Sequence, residues 1–269
     1  MFTDKSMNQI NEINAVQKSF VNDLSICTRW VTQARSQNDD IESNSLMRWA
    51  DELKCHKSFV EFGFEPSEYN SIGLTKLNYN GLLLDGSEEN CRISNTIFKM
   101  LNLNTKAVPK WIDLESLEPI FDFYYANGNR LGVLNIDIDG NDYWILKALL
   151  EKMKPDLICV EHNASFGLNS ISIPYISNFK RHDYHQSGLY HGASIVAFEK
   201  LLSTDYSLIE NIAGLNLIFA SKELLLHSIN NYSLSATEAY MEPLLRNKWS
   251  STTSVTQWET IKHLPFINI

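Results

Sequence analysis

Positive charge is what this chain is short of: 23 Lys and Arg stand against 32 Asp and Glu, a formal net charge of −9 over 269 residues. No basic stripe offsets that balance, which argues against nucleic acid as a partner and against anionic membrane surfaces. Long apolar runs are missing too, and nothing approaches the roughly 20 residues that span a bilayer, so no membrane insertion is expected. The start, Met1 to Gln9, is polar and acidic rather than basic and then apolar, and the expected location is the cytoplasm. Cysteine is sparse: Cys27, Cys55, Cys91 and Cys159 form no C-x-x-C pair and read as reduced, inert thiols. A G-x-G-x-x-G loop is absent as well, since Gly63 is followed by Phe64-Glu65-Pro66-Ser67-Glu68, which disfavours a nicotinamide enzyme.

What is present is a 44% hydrophobic share, enough for one large α/β domain, and an acid cluster set at a strand-to-helix junction. Leu131 to Ile136 reads as a buried strand, Asp137-Ile138-Asp139-Gly140-Asn141-Asp142 follows, and Tyr143 to Leu150 reads as an amphipathic helix. In α/β proteins ligands bind at such junctions. An EF-hand is rejected, because counting from Asp137 the glycine is fourth rather than sixth and Ala148 stands where the twelfth-position glutamate belongs. Acids complementing a helix N-terminus would explain one or two of these residues, but the pattern recurs. The next strand-like run, Asp156 to Val160, ends in Glu161-His162-Asn163. Parallel pairing would carry Asp137, Asp139, Glu161 and His162 to one rim, where oxygen ligands with an imidazole suit magnesium, calcium or manganese rather than structural zinc.

The same grammar appears upstream. Ser58-Phe59-Val60-Glu61-Phe62-Gly63 puts a glycine at a turn where backbone must approach a ligand, and Gly81-Leu82-Leu83-Leu84-Asp85-Gly86-Ser87 ends a buried strand in an acid placed to accept ribose hydroxyls.

In the order and spacing of these segments, with Tyr190-His191-Gly192-Ala193-Ser194 and Gly214-Leu215-Asn216-Leu217-Ile218-Phe219, the chain from about Phe59 to Lys222 resembles class I S-adenosylmethionine-dependent methyltransferases. The likeness is to the FkbM-type and related sugar O-methyltransferases of bacterial polysaccharide pathways. The resemblance implies an α/β, Rossmann-like, seven-stranded and mostly parallel sheet. It implies S-adenosylmethionine with its methionine part near Glu61 and Gly63 and its ribose on Asp85, with Asn70, Gly86, Ser87, Asp113 and Asp137 completing the binding set. Asp113 is equally an N-cap for a helix over Leu114 to Phe121. Metal-dependent relatives imply Mg2+ or Mn2+ on Asp137, Glu161 and His162, with the ion orienting two sugar hydroxyls. Asp139, His162 and His191 are the base candidates. Two departures stand out: Glu65-Pro66-Ser67 replaces a second loop glycine, and His162 stands where a second acid is usual.

The chain divides into a helical N-terminal extension (1–56), a methyltransferase core (57–222) and a C-terminal helical or irregular extension (223–269). In the first, Ile10, Ile13, Val16, Phe20, Val21, Leu24 and Cys27 share one helical face, and Leu46, Trp49 and Leu53 another. The core should close with an antiparallel pair, Tyr206–Glu210 and Leu215–Phe219. Ser235-Ala236-Thr237-Glu238 announces a capped helix, followed by a polar loop with Trp249 and Trp258. Asn163 to Ala193, rich in Ser, Tyr and His, is the expected substrate-covering loop. The expected function is O-methylation of a sugar hydroxyl on a nucleotide sugar or surface-glycan precursor, in a chain free to form a homo-oligomer. A metal-independent methyltransferase and a cofactor-binding scaffold without catalysis remain open alternatives.

Overall fold

The computed structural model describes residues 17–19, 21–28, 30–31, 41–228 and 232–269. Seven strands form one sheet: β1 (Ser58–Phe62), β2 (Asn80–Asp85), β3 (Thr105–Pro109), β4 (Val133–Ile136), β5 (Leu157–Glu161), β7 (Tyr206–Ile212) and β8 (Asn216–Ser221). Their spatial order is β3-β2-β1-β4-β5-β8-β7. The first five pair in parallel, and β8 runs antiparallel to both β5 and β7. The expected Rossmann-like, mostly parallel α/β sheet is therefore what forms, closing antiparallel pair included.

Strand composition explains the burial. Parallel strands are covered on both faces by crossover helices, so β1 and β5 are buried at every residue, Glu61 and Glu161 included. Alternate side chains feed two apolar layers, with Val60, Leu82, Leu134 and Ile158 in one and Phe59, Leu83, Val133 and Cys159 in the other. The covering helices are α1 (Ile41–Glu52), α2 (Ile72–Lys76), α3 (Glu88–Met100), α4 (Glu118–Ala126), α5 (Asp142–Leu150) and, after the short strand β6 (Ile171–Ser172) and the single turn α6 (Arg181–Tyr184), α7 (Ile195–Leu202). All four cysteines are buried and unbridged, as expected.

Several local readings need correction. Val21 and Leu24 are 65% and 48% exposed, whereas Cys27 and Trp30 are buried, so among the described helical residues of 17–19, 21–28 and 30–31 contact with the core starts only at about Ile26. Ile10, Ile13, Val16 and Phe20 lie outside the described residues. Asp113 caps no helix: α4 begins only at Glu118, and the Asp113 carboxylate instead accepts from Glu115 N–H at 3.2 Å. The capping box at Ser235 and Glu238 forms, yet its helix α9 (Ala236–Ala239), which follows the single turn α8 (Lys222–Leu225), is one turn long.

The expected polar loop beyond it holds two helices, α10 (Leu244–Ser250) and α11 (Ser254–Ile261). Thr253 caps α11 by accepting from Thr256 N–H, and Ile261 packs with Phe166, Ile173 and Tyr190 in a third apolar cluster. The last strand, β9 (Ile267–Asn268), pairs with β6 and so ties the tail to the segment after β5. Among the described residues no helix is long and apolar enough to cross a membrane.

Candidate functional site

Register builds the site. Phe62 pairs with Leu84 and Ile136, and Ile136 pairs with Val160, so the next residue on each strand stands in one row at the carboxyl edge: Asp85, Gly63, Asp137, Glu161. Glu161 in turn pairs with Asn216. The strand order reverses between β1 and β4, the place where open α/β sheets leave a crevice. A cleft of about 1030 Å³ opens there. Glu61, Gly63, Asn70, Asp85, Gly86, Asp137, Asp139 and Glu161 line it, whereas Ser87, Asp113, His162 and His191 do not.

Gly63 has φ +71, and a Cβ on it would lie 1.9 Å from the Asp137 carbonyl oxygen, so β1 and β4 part here without room for a side chain. Glu61 is 1% exposed, and its two oxygens accept from Asn70 N–H (2.8 Å) and Ser71 N–H (2.7 Å) at the start of α2. Both oxygens are therefore engaged with backbone, and the residue anchors the loop that carries Asn70. The Glu65-Pro66-Ser67 segment forms a tight turn closed by mutual backbone hydrogen bonds between Glu65 and Glu68 (3.1 and 3.0 Å).

Asp85 accepts from Ser87 N–H at 2.7 Å and from Phe64 N–H at 3.3 Å, which fixes the carboxylate while leaving lone pairs on each oxygen. Ser87 serves as N-cap of α3, accepting from Asn90 N–H. Beside Gly86 stands Trp111, 43% exposed, with its ring 2.8 Å from where a Gly86 Cβ would be. Sequence reasoning put Asp113 on this side. The chain instead lines the cleft with Lys110, Trp111 and Ile112 directly after β3.

Asp142, which the sequence pattern does not single out, organises the acid loop. It is fully buried and accepts from Ile138 N–H (2.9 Å) and Gly140 N–H (2.8 Å), folding the turn back on itself. That turn holds Asp139 at φ +53, and its half-exposed carboxylate is ion-paired to Arg181 of α6. Arg246 of α10 reaches Glu161 Oε1 at 3.3 Å and Asn163 Oδ1 at 3.4 Å. No local sequence pattern marks either arginine as a member of the site.

The two histidines part company. His162, expected as ligand and base, is turned away: it is fully buried, Nδ1 donates to the Leu215 carbonyl at 2.9 Å, and desolvation lowers its pKa to about 4. His191 comes instead to Glu161, with Nδ1 3.5 Å from Oε2. Burial, then the charge of Arg246, holds it well below the usual imidazole range, so it is neutral. Asp139, Glu161 and His191 each place one ligand atom within 4.8 Å of the others. The ion set implied by the resemblance, Asp137, Glu161 and His162, is not the set that the chain gathers.

Crowded acids resist ionisation. Burial raises Glu61 to about 7 and Asp142 to about 6, both against their backbone hydrogen bonds. Asp137 and Glu161 are pushed well up by burial and then by neighbouring carboxylates. The stability linkage follows from these directions. A raised pKa contributes stability that is complete below the unfolded value, 4.5 for Glu61, and is lost as pH rises through about 7. His162 acts in the opposite sense, but unfolded histidine is largely neutral above about 6.5. The free energy of unfolding of the ligand-free protein, and with it the melting temperature, is therefore expected to fall as pH rises from about 6.5 through 7, by at most about 1.4 kcal/mol per pH unit for each proton that only the folded chain retains. Scanning calorimetry across that window checks it, Glu61→Gln should flatten the slope, and a rising melting temperature would contradict the assignment.

No protein-family model matches the chain, and no curated protein does. Solved structures share its course at low identity. An O-methyltransferase from Bacillus cereus in complex with SAH is 17% identical over 73% of this chain and 90% of that one, with a TM-score of 0.46. The N-terminal domain of EvdMO1 with SAH bound is 12% identical over 67% of this chain and 80% of that one, at 0.42. A methyltransferase from Geobacter sulfurreducens is 14% identical over 77% and 96%, at 0.43.

Proposed function

We propose that the protein is an S-adenosylmethionine-dependent O-methyltransferase whose acceptor is a hydroxyl of a polyhydroxylated, sugar-like molecule. The observation that carries this reading is the row Asp85, Gly63, Asp137, Glu161 along one edge of the cleft. It puts a ribose-type acceptor, a backbone free of side chain and two acids side by side. Asp85 would hold the ribose hydroxyls, Trp111 and Ile112 the adenine face, and Gly63 with Asn70 the methionine end. The bound sulfonium supplies an electrophilic methyl group.

On the acceptor side the chain presents Asp139, Asn141, Glu161 and Asn216, oxygen acceptors suited to hydroxyl groups, with Phe179 as an apolar wall. The half-exposed Asp139 carboxylate would take the acceptor hydroxyl proton as that oxygen is methylated, the bound cofactor supplying the methyl carbon and a neutral thioether as leaving group. Arg181, paired with Asp139, ties the segment Asn163 to Ala193 to the reacting end. A nucleotide-linked or glycan-precursor sugar, and activity in the cytoplasm, complete the proposal.

Titration calorimetry with S-adenosylhomocysteine tests the donor half. The unaltered protein should bind it, and Asp85→Ala should weaken binding by about 1.5–3 kcal/mol, the range for hydrogen bonds to a charged group. Undiminished affinity in a folded Asp85→Ala protein would remove the acid from the cofactor site.

A further inference from the structure

We infer that Lys180 and Trp111 are the two sides of a clamp for the adenine ring of the cofactor, so that the segment Ile173 to Arg181, expected to cover the acceptor, also closes the donor end of the cleft. The identity of the ring rests on the methyl-transfer reading. Trp111, directly after β3, lines the cleft and is 43% exposed. Lys180 Nζ stands over its indole, 5.8 Å from the ring centroid, and among the described residues this lysine has no ion-pair partner. A flat ring needs about 3.5 Å to the neighbour on each side, or about 7 Å between the two. The gap of 5.8 Å is short of that by roughly 1 Å, so adenine enters once Lys180 lifts by that much. It then lies between an aromatic face and a cation, and a nucleobase is attracted to both.

The segment is built to carry Lys180 to that place. Its root is fixed to the start of α5: Trp144 Nε1 donates to the Ile173 carbonyl at 2.8 Å, while the Asn141 amide takes both backbone groups of Ile176, donating to the carbonyl at 2.7 Å and accepting from the N–H at 3.2 Å. From this root the chain crosses the mouth of the cleft. Tyr175 Oη accepts from Leu114 N–H at 3.2 Å on the β3 side. Phe179 packs on Gly140, where a Cβ would come within 2.5 Å of its ring, and Arg181 pairs with Asp139. One short stretch therefore touches the donor rim through Tyr175 and Lys180 and the acceptor acid through Arg181. The root is held by three hydrogen bonds, whereas Lys180 is exposed and bound to Trp111 by its charge alone, so it is the tip that lifts. Because the ring has to pass before the tip settles, the cofactor binds ahead of the acceptor.

Calorimetric titration of the full chain with S-adenosylhomocysteine and with adenosine tests the clamp, adenosine reporting on the ring end alone. Lys180→Ala should weaken both ligands by the same factor, about three- to tenfold, and should speed S-adenosylhomocysteine dissociation in stopped flow by a similar factor. Lys180→Arg should restore both, since a guanidinium also stacks on flat rings. The exposed position of Lys180 keeps the risk to folding small. In a Trp111→Ala background the lysine change should have little further effect, because a one-sided clamp holds no ring. Lys180→Ala binding both ligands as tightly as the unaltered protein, a loss seen with S-adenosylhomocysteine but not with adenosine, or an undiminished loss in the Trp111→Ala background would each overturn the clamp. If neither ligand binds the unaltered protein, it is the methyl-transfer reading that falls, and the clamp with it.

Discussion

Gly63→Ala is expected to abolish S-adenosylhomocysteine binding and to cost roughly 3 kcal/mol or more of stability. Two terms add. A left-handed backbone at φ +71 penalises a side chain by about 1–2 kcal/mol, and forcing extra atoms into a packed place costs about 1–3 kcal/mol more. The second term is at its worst here, since the obstacle 1.9 Å away is the Asp137 carbonyl, part of a strand end held from both sides, and not a yielding side chain. Relief requires β1 and β4 to separate where the cofactor would lie. Gly128 supplies the control: its φ is +69, but a Cβ there meets nothing within 4 Å. Gly128→Ala should therefore show the backbone penalty alone and leave binding intact. Thermal melts and calorimetry on the two variants separate the terms, and equal losses in both would show that the close approach to Asp137 carries no weight.

The strand ends were legible because their logic is local. An apolar run stopped by an acid or a glycine announces a carboxyl edge, and parallel pairing then needs no further information to line up Asp85, Gly63, Asp137 and Glu161. Successive residues beyond a strand point to opposite sides, and that rule already separates Glu161, which faces the cleft, from His162, which turns to Leu215. Spacing made His191 a base candidate but could not show that it meets Glu161. It returns to the site across the excursion from Asn163, whose N–H donates to Ala193 at 2.8 Å, a closure set by tertiary packing. Arg246 was hidden for the same reason, sitting on a seven-residue helix in a tail that carries no periodic signal toward the sheet. Asp113 does not line the cleft, because the edge directly beyond β3 is built from Lys110, Trp111 and Ile112.

Asp139→Asn is expected to lower the single-turnover rate of methyl transfer by roughly 10²–10⁴-fold, the usual contribution of a general base, while S-adenosylhomocysteine affinity stays within twofold or so. The donor should be spared because Asp139 belongs to the acceptor side, beyond Asp137 in the acid loop and against Arg181. The local fold should be spared too, since Asp142 and not Asp139 accepts the hydrogen bonds that close the turn. Two causes of the lost rate can then be told apart. If Asp139 acts as a metal ligand alone, saturating Mn2+ restores most of the rate, because weakened binding is overcome by mass action. If it takes the proton, no concentration of ion helps, and the residual rate rises with pH as the acceptor hydroxyl itself ionises. Asp142→Asn gives the contrasting case: the buried turn loses a charged acceptor for two N–H groups, so stability and both binding functions should fall together. A near-normal single-turnover rate in Asp139→Asn without added ion would remove Asp139 as the group that takes the proton.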